Sequence, residues 1–448
     1  MMGAKTTAAI EGGLILAIAF LVFWLSPVLQ SGDSQYSMLL SENLIRYHST
    51  FLDRYVFPGP VETPKNGAPP DKLNAVDGET YQIGRINGHV VYLFPNGSSV
   101  LSVPFVAVAN RAGWHTFRPD NTYDEQGDLR IQKTLAAFLM ALLTVVIFAT
   151  GLYMLPRGWS AFIAGAFALG TPIWSTASRG MWSQTWLVLL EGLLIFQLVK
   201  CERGASKFRP IIIATFLSWM CFVRPTAAIP CLCVTVYVVA AHREHLLTYV
   251  ICGMLWFAAF IGYSELTFGQ LLPGYYSGTR LQFEHFVTAL GGTLISPSRG
   301  LLVFVPMIVF ILYRVARYWN GLPMRRLAVL ALGTIALQAI SVAGFGKWWG
   351  GYSYGPRLLI DTVPWLALLA MQGIAANSAG KRIPVKPWEL TVGAILISLS
   401  VAINARGALS FRTQWWNAVV DVDNHPERVF DWSYPQFMAG LIAPPKYQ

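Results

Sequence analysis

The chain has 448 residues, of which 54% are hydrophobic and 12% charged, with 16 Trp, 18 Tyr and 26 Phe. An ordinary globular chain carries about 25% charge, so this composition excludes a soluble enzyme, a disordered scaffold and a coiled coil. It fits a polytopic membrane protein whose aromatic residues gather at the interfaces. The net charge of +10 is a topology signal, as the loops show below, and implies no nucleic-acid partner.

Taken in chain order, the first apolar run covers 8–28. It is too long for a signal-peptide core and reads as a retained transmembrane helix within a first segment 1–28. Residues 29–130 form a large polar loop. There Tyr36, Leu39, Leu40, Leu44 and Tyr47 recur at three-to-four spacing, which predicts an amphipathic helix lying at the membrane surface. Residues 54–78 are rich in Pro, Gly, Asp and Asn and predict irregular loop. Segments 80–85 and 89–94 flank Asn87-Gly88, a type I′ hairpin signal. A second apolar helix follows at 98–111, with Pro104 inside it.

Ten further apolar runs follow, roughly 131–154, 159–173, 183–199, 210–223, 226–241, 246–267, 300–317, 327–345, 358–374 and 388–404. The multi-helix domain thus spans 131–404, and 405–448 is a polar tail. The expected fold is an all-α polytopic membrane protein of about 11 transmembrane helices. Its large first outer loop carries surface helices and a small β-hairpin. One set of loops holds Lys5, Arg157, Lys200, Arg203, Lys207, Arg209, Arg243, Arg314, Arg317, Arg325, Arg326, Lys381, Arg382 and Lys386. The opposite loops hold Arg179, Arg224, Arg280, Arg299, Lys347 and Arg357. The first set is expected to be cytoplasmic, which places 29–130, 269–299 and 405–448 outside. The outer loop also carries Asp77, Glu79, Asp120, Asp124, Glu125 and Asp128. The cysteines (Cys201, Cys221, Cys231, Cys233, Cys252) lie in or beside apolar runs and imply no disulfide framework. The lone C-x-C at 231–233 reads as packing.

No P-loop, dinucleotide fingerprint, zincin motif or nucleophile elbow occurs. What remains is polar residues at outer helix ends. Arg179, Arg224, Arg299, Lys347 and Arg357 lie on the side where basic residues are disfavoured, and such charges are paired or functional. Each can be structural: an Arg snorkels to headgroups, and Arg357 stands one turn before Asp361 and can pair with it. Together at one depth they would form a pocket for a lipid phosphate. Asp33 reads either as a cap for the amphipathic helix or as a catalytic acid. Glu42, Asp53 and the carboxylates at 120–128 read as solvated surface. Glu191, in mid-helix, reads as neutral or paired within the bundle. Asp421 and Asp423 with His425, ahead of Asp431-Trp432, read as a hydrated loop. Trp174, Trp182, Tyr275 and Tyr276 read as interfacial belt. Trp348-Trp349-Gly350-Gly351-Tyr352, with Tyr354, is denser and offers a platform for sugar rings.

Five stretches resemble the GT-C superfamily of integral-membrane glycosyltransferases, in its branch of protein mannosyltransferases and aminoarabinose transferases. They are Gly32-Asp33-Ser34-Gln35-Tyr36, Tyr92-Leu93-Phe94-Pro95-Asn96-Gly97 leading to Leu101-Ser102-Val103-Pro104, Met181-Trp182-Ser183-Gln184-Thr185, Phe222-Val223-Arg224-Pro225-Thr226 and 348–357. Ser34 departs from the family's second carboxylate and Gln184 from a frequent His. The resemblance implies an inverting transferase on the outer face of a bacterial or archaeal inner membrane. Its donor would be a sugar on a polyprenyl phosphate, its acceptor a glycan, lipid or protein, with membrane lipids around it. Asp33 would be the general base. Arg357, Arg179, Arg299, Lys347 and Arg224 would hold the phosphate, and Trp348, Trp349, Tyr352 and Tyr354 the sugar. No cofactor is required, and Ser34 leaves a divalent metal open. The alternatives are a lipid-linked-glycan transporter and a non-catalytic partner in glycan assembly.

Overall fold

The computed structural model describes residues 2–63, 80–277, 281–378 and 381–444. Asp77, Glu79, Arg280 and most of the irregular stretch expected at 54–78 fall outside them. The chain opens with α1 (Met2–Leu25), apolar almost throughout. It stops at Ser26-Pro27, because a proline disfavours helix for the residue before it.

Between α1 and α4 the chain builds a small folded unit from α2 (Ser37–Tyr47), β1 (Ile83–Ile86), β2 (His89–Tyr92) and α3 (Gly97–Arg111). The hairpin pairs Ile83 with Tyr92 and Ile86 with His89. Asn87 (φ 50°) and Gly88 (φ 85°) are both left-handed, as a type I′ turn requires. Helix α2 is packed inside this unit rather than lying open on it. Residues 37–43 are buried, because Leu39, Leu40, Ile83, Val90 and Tyr92 share one core. Tyr36 enters α2 from a left-handed backbone (φ 69°), and its amide donates to Asp128 Oδ2 at 3.3 Å. Two carboxylates expected at the surface are therefore interior. Asp128 also accepts from Tyr123 Oη (2.6 Å) and Gln132 Nε2 (3.0 Å). Glu42 accepts from the amide and hydroxyl of Thr116, both at 2.8 Å, and meets His115 Nδ1 at 2.7 Å. Asp53 stays half-exposed at the hairpin, where it accepts from the Val90 amide at 2.7 Å and meets His89 Nδ1 at 2.8 Å.

The bundle follows as α4 (Glu125–Gly151), α5 (Arg157–Leu169), α6 (Ser183–Glu202), α7 (Pro210–Val223), α8 (Ala228–Ala241) and α9 (Leu246–Phe268). Short α10 (Gly274–Ser277), α11 (Phe286–Ile295) and α12 (Leu301–Phe304) lead to α13 (Met307–Arg317), α14 (Arg325–Ala343) and α15 (Val363–Ile374). A two-residue pair, β3 (Asn377–Ser378) and β4 (Lys381–Arg382), precedes α16 (Pro387–Leu409) and the tail helix α17 (Arg412–Val419). Helix α15 is buried along its whole length. Helices α1, α9 and α16 turn Leu14, Met254, Leu255 and Ile395 outward.

Among the described residues, seven helices are long and apolar enough to cross a membrane, and the chain reads as a multi-pass membrane protein. Each of the expected spans meets a helix, and several of these helices are shorter than a full crossing. Helix α5 has 13 residues and α7 and α8 have 14 each. A 14-residue helix reaches only about 21 Å of a roughly 30 Å hydrocarbon core. Proline explains the breaks: Pro225 separates α7 from α8, and Pro306 separates α12 from α13.

Helix α3 starts hard against the end of α7. A Cβ on Gly97 would stand 2.5 Å from the carbonyl of Phe222. Gly97→Ala is expected to cost about 1–3 kcal/mol through overpacking, read as a lower melting temperature in detergent.

The end of α1, the start of α4 and the end of α16 place the loop unit and the tail at one end of the bundle. Single cysteines at Gln126 and Asn424, both exposed, are expected to react with an impermeant maleimide in intact cells lacking the native cysteines. Protection of both would invert the orientation read from the basic residues.

Candidate active site

Asp33 lies in a 3-10 turn, Gly32–Ser34, at the exit of α1. It caps no helix, because α2 begins after Tyr36 without a side-chain cap. The turn is held from the hairpin: Tyr92 Oη donates to the Asp33 carbonyl at 2.7 Å, and Gln82 Nε2 to that of Gly32 at 3.0 Å. On the bundle side Ser34 Oγ lies 2.7 Å from both the Ser31 carbonyl and Gln132 Oε1.

The carboxylate has two partners from distant parts of the chain. Tyr81 Oη donates to Oδ1 at 3.2 Å, and Arg357 Nη1 meets Oδ2 at 3.2 Å. Burial, then the Asp33 charge, holds the Tyr81 phenol well above its ordinary pKa, so it remains a donor. The Arg357 guanidinium lies 4.2 Å over the ring of Trp182, a cation–π contact. The Asp33 side chain is 37% exposed and that of Arg357 13%. Two buried donors beside this pair, Arg357 Nε and Trp182 Nε1, have no acceptor among the described residues. The arrangement is therefore an accessible carboxylate, a clamped cation and unused N–H groups, at the junction of loop unit and bundle.

The other cations expected here are engaged elsewhere. Arg179 is fully buried and donates to the carbonyls of Phe23 and Ser26, closing the end of α1. Arg299 donates to the carbonyls of Trp349 (2.7 Å) and Gly351 (3.2 Å), to Gln436 Oε1 (2.6 Å) and to Asn417 Oδ1 (2.8 Å). It thereby ties the aromatic loop to the tail. Arg224, not Arg357, is the partner of Asp361, at 3.2 Å; it also bonds Ser183 Oγ at 3.2 Å, directly beside Trp182. Lys347 meets Asp423 at 3.6 Å.

The aromatic platform is likewise folded inward. Trp348 and Trp349 are buried with Trp416, Val422, Val429 and Tyr434. Trp349 Nε1 donates to Asp423 at 2.8 Å, and Tyr354 Oη to the Ile403 carbonyl at 2.6 Å. Tyr352 stays partly exposed; burial, then a hydrogen bond to Asp421, pushes its phenol up to about 12. Glu191 accepts a hydrogen bond from Trp365 Nε1 at 3.3 Å inside the bundle.

Ser34 turns its hydroxyl inward, to the Ser31 carbonyl and Gln132. Among the described residues no three His, Cys, Asp or Glu side chains gather to hold an ion.

Sequence reasoning missed Tyr81, Tyr92 and Gln82, and assigned Trp182 to the interfacial belt. The hairpin signal located all three hairpin residues. It gave no sign that this edge meets the turn after α1.

No family model matches the chain, and neither does any curated protein. Among solved structures the chain is similar to the Archaeoglobus fulgidus oligosaccharyltransferase tethered with an acceptor peptide, with a TM-score of 0.49 and 12% identity over 98% of this chain and 61% of that one. It is similar also to that protein in the apo form, with a TM-score of 0.45 and 10% identity over 98% and 62%. The chain spans about three fifths of the length of these structures.

Proposed function

We propose that the protein is an inverting glycosyltransferase that moves a sugar from a polyprenyl phosphate to an acceptor hydroxyl on the outer face of the membrane. The observation that carries this reading is the convergence on Asp33. A single accessible carboxylate is oriented by Tyr81 and faces one cation, Arg357, whose Nε is unused. The GT-C-like residues around Asp33, Trp182 and Arg357 add support from the sequence.

In this scheme Asp33 takes the proton of the acceptor hydroxyl as its oxygen attacks the anomeric carbon. The C–O bond to the lipid phosphate breaks on the opposite face, and the phosphate leaves with the bonding pair. Arg357 holds the growing negative charge through its planar fork. Trp182, beneath the guanidinium, supports the face of that fork. Acid and cation are 3.2 Å apart before substrate arrives, so the sugar enters as the phosphate draws Arg357 away and frees the base. The phosphate role narrows from five cations to Arg357, because Arg179, Arg299 and Arg224 are each held by protein acceptors and Lys347 is paired with Asp423. Tyr352 is the aromatic residue of the predicted platform left open enough to meet a sugar.

The test is a pair of substitutions. Arg357→Ala is expected to lower turnover with a polyprenyl-phosphate donor about 10²–10³-fold, the cost of removing one donor to developing charge. Arg357→Lys should recover only part, since an ammonium lacks the bidentate geometry. Wild-type turnover in Arg357→Lys, with Arg357→Ala losing only thermal stability, would make the residue a structural partner of Asp33.

A further inference from the structure

We propose a second site at the other end of the bundle, which takes an acyl chain of an anionic phospholipid. This does not depend on the function proposed above. A cavity of about 530 Å³ lies between α5, α13, α15 and α16, lined by Phe162, Ala166, Phe310, Ala370, Gly393 and Ile397 among others. Its volume falls in the range of small-molecule sites. It follows α5 from Gly158 to Phe167, about 14 Å at 1.5 Å per residue. That is about half of a roughly 30 Å hydrocarbon core, the depth of one leaflet.

The lining indicates what the cavity takes. Its charged members are Arg314 and Glu389, and their polar atoms are already paired. Arg314 Nη1 donates to Glu389 Oε2 at 2.8 Å, and Nε and Nη2 donate to the Gly373 carbonyl at 3.2 and 3.1 Å. Glu389 accepts also from Tyr318 Oη at 3.3 Å and from the Lys386 amide at 2.8 Å. Such a wall offers a polar ligand nothing and suits a hydrocarbon chain. On its lining, Phe162 of α5 and Leu390 of α16 are half exposed, which leaves these two helices as the route by which a chain would enter.

The mouth points to the headgroup. Helix α5 starts, α13 ends and α16 starts at this end. Arg317 and Lys386 are exposed there, and Arg157 is paired with Glu11 at 3.6 Å. Basic residues at a leaflet surface attract anionic lipid. The site lies across the membrane from Asp33, because α1 and α16 both end at the Asp33 side.

The experiment uses full-length protein in phosphatidylcholine nanodiscs, with trace phosphatidylglycerol carrying a diazirine in mid-chain. Expected adducts fall on peptides covering 158–167 and 389–397. The same probe on phosphatidylcholine should label these peptides much less. Ala166→Phe, which fills the cavity, should remove these adducts. Lys386→Gln and Arg317→Gln should each reduce the preference for phosphatidylglycerol about fivefold while leaving the labelled positions unchanged. The wild-type map decides even if the filled variant fails to fold. Adducts spread evenly over the lipid-facing sides of α1 and α9, or equal labelling by both lipids, would overturn the proposal. Displacement of the probe by polyprenyl phosphate but not by unlabelled phosphatidylglycerol would give the cavity to the carrier lipid instead.

Discussion

Asp33→Asn is expected to fold and melt as the wild type does and to lose transfer by about 10²–10⁴-fold, the loss of general-base assistance. Asparagine keeps one oxygen to accept from Arg357 and offers an amide N–H that can donate to Tyr81 Oη, and the backbone contacts from Tyr92 and Gln82 do not involve the side chain. Asparagine also caps helices as well as aspartate, but capping is not the issue here, because α2 starts four residues later without a side-chain cap. Asp33→Glu retains the carboxylate a methylene further out and should keep a little activity. The measurement is turnover on purified, monodisperse protein, with melting temperature alongside. Near-normal turnover in Asp33→Asn would move the search for a base to another carboxylate. Glu42 and Asp128 would be poor candidates, being sealed inside the loop unit.

The largest effect on stability is expected at Arg314 and Glu389. Their side chains are 1% and 0% exposed and 2.8 Å apart. Removing one partner of a buried pair strands the other charge, at a cost of about 3–5 kcal/mol. Arg314→Met also leaves the Gly373 carbonyl without its two N–H donors. The double variant Arg314→Met/Glu389→Leu strands no charge and should recover most of the loss. The readout is the melting temperature of each single variant and of the double. A double variant no more stable than Arg314→Met would mean that the pair matters through its other hydrogen bonds, to Gly373, Tyr318 and Lys386.

Apolar runs and turn chemistry were legible in the sequence because both are local. Each predicted span meets a helix, and Asn87-Gly88 forms the turn its residue types dictate. Asp33 stood out as a base through the resemblance of Gly32-Asp33-Ser34-Gln35-Tyr36 to the GT-C acidic motif, while its position alone read first as a helix cap. The long-range pairings were not legible. Arg357 meets Asp33 across 324 residues and Tyr81 meets it across 48, and no spacing rule reaches that far. Five cations looked alike because a guanidinium bound to helix carbonyls, as in Arg179, has the same local sequence signature as one left free. The Arg357–Asp361 pairing expected one turn apart lost to Arg224, which approaches from another helix end. Burial of Glu42 and Asp128 was hidden because polar residues alternate with apolar ones in that loop. Only the folded unit brings Thr116, His115 and Tyr123 to them.

The most direct measurement is release of free polyprenyl phosphate by the purified wild-type protein. A panel of polyprenyl-phosphate hexoses and pentoses would be offered with a cell-envelope acceptor extract, and the anomeric configuration of the product read by NMR. The account predicts release from at least one donor, inversion at the anomeric carbon, and release lost in Asp33→Asn. Release with retention of configuration, or equal release by wild type and Asp33→Asn, would contradict it.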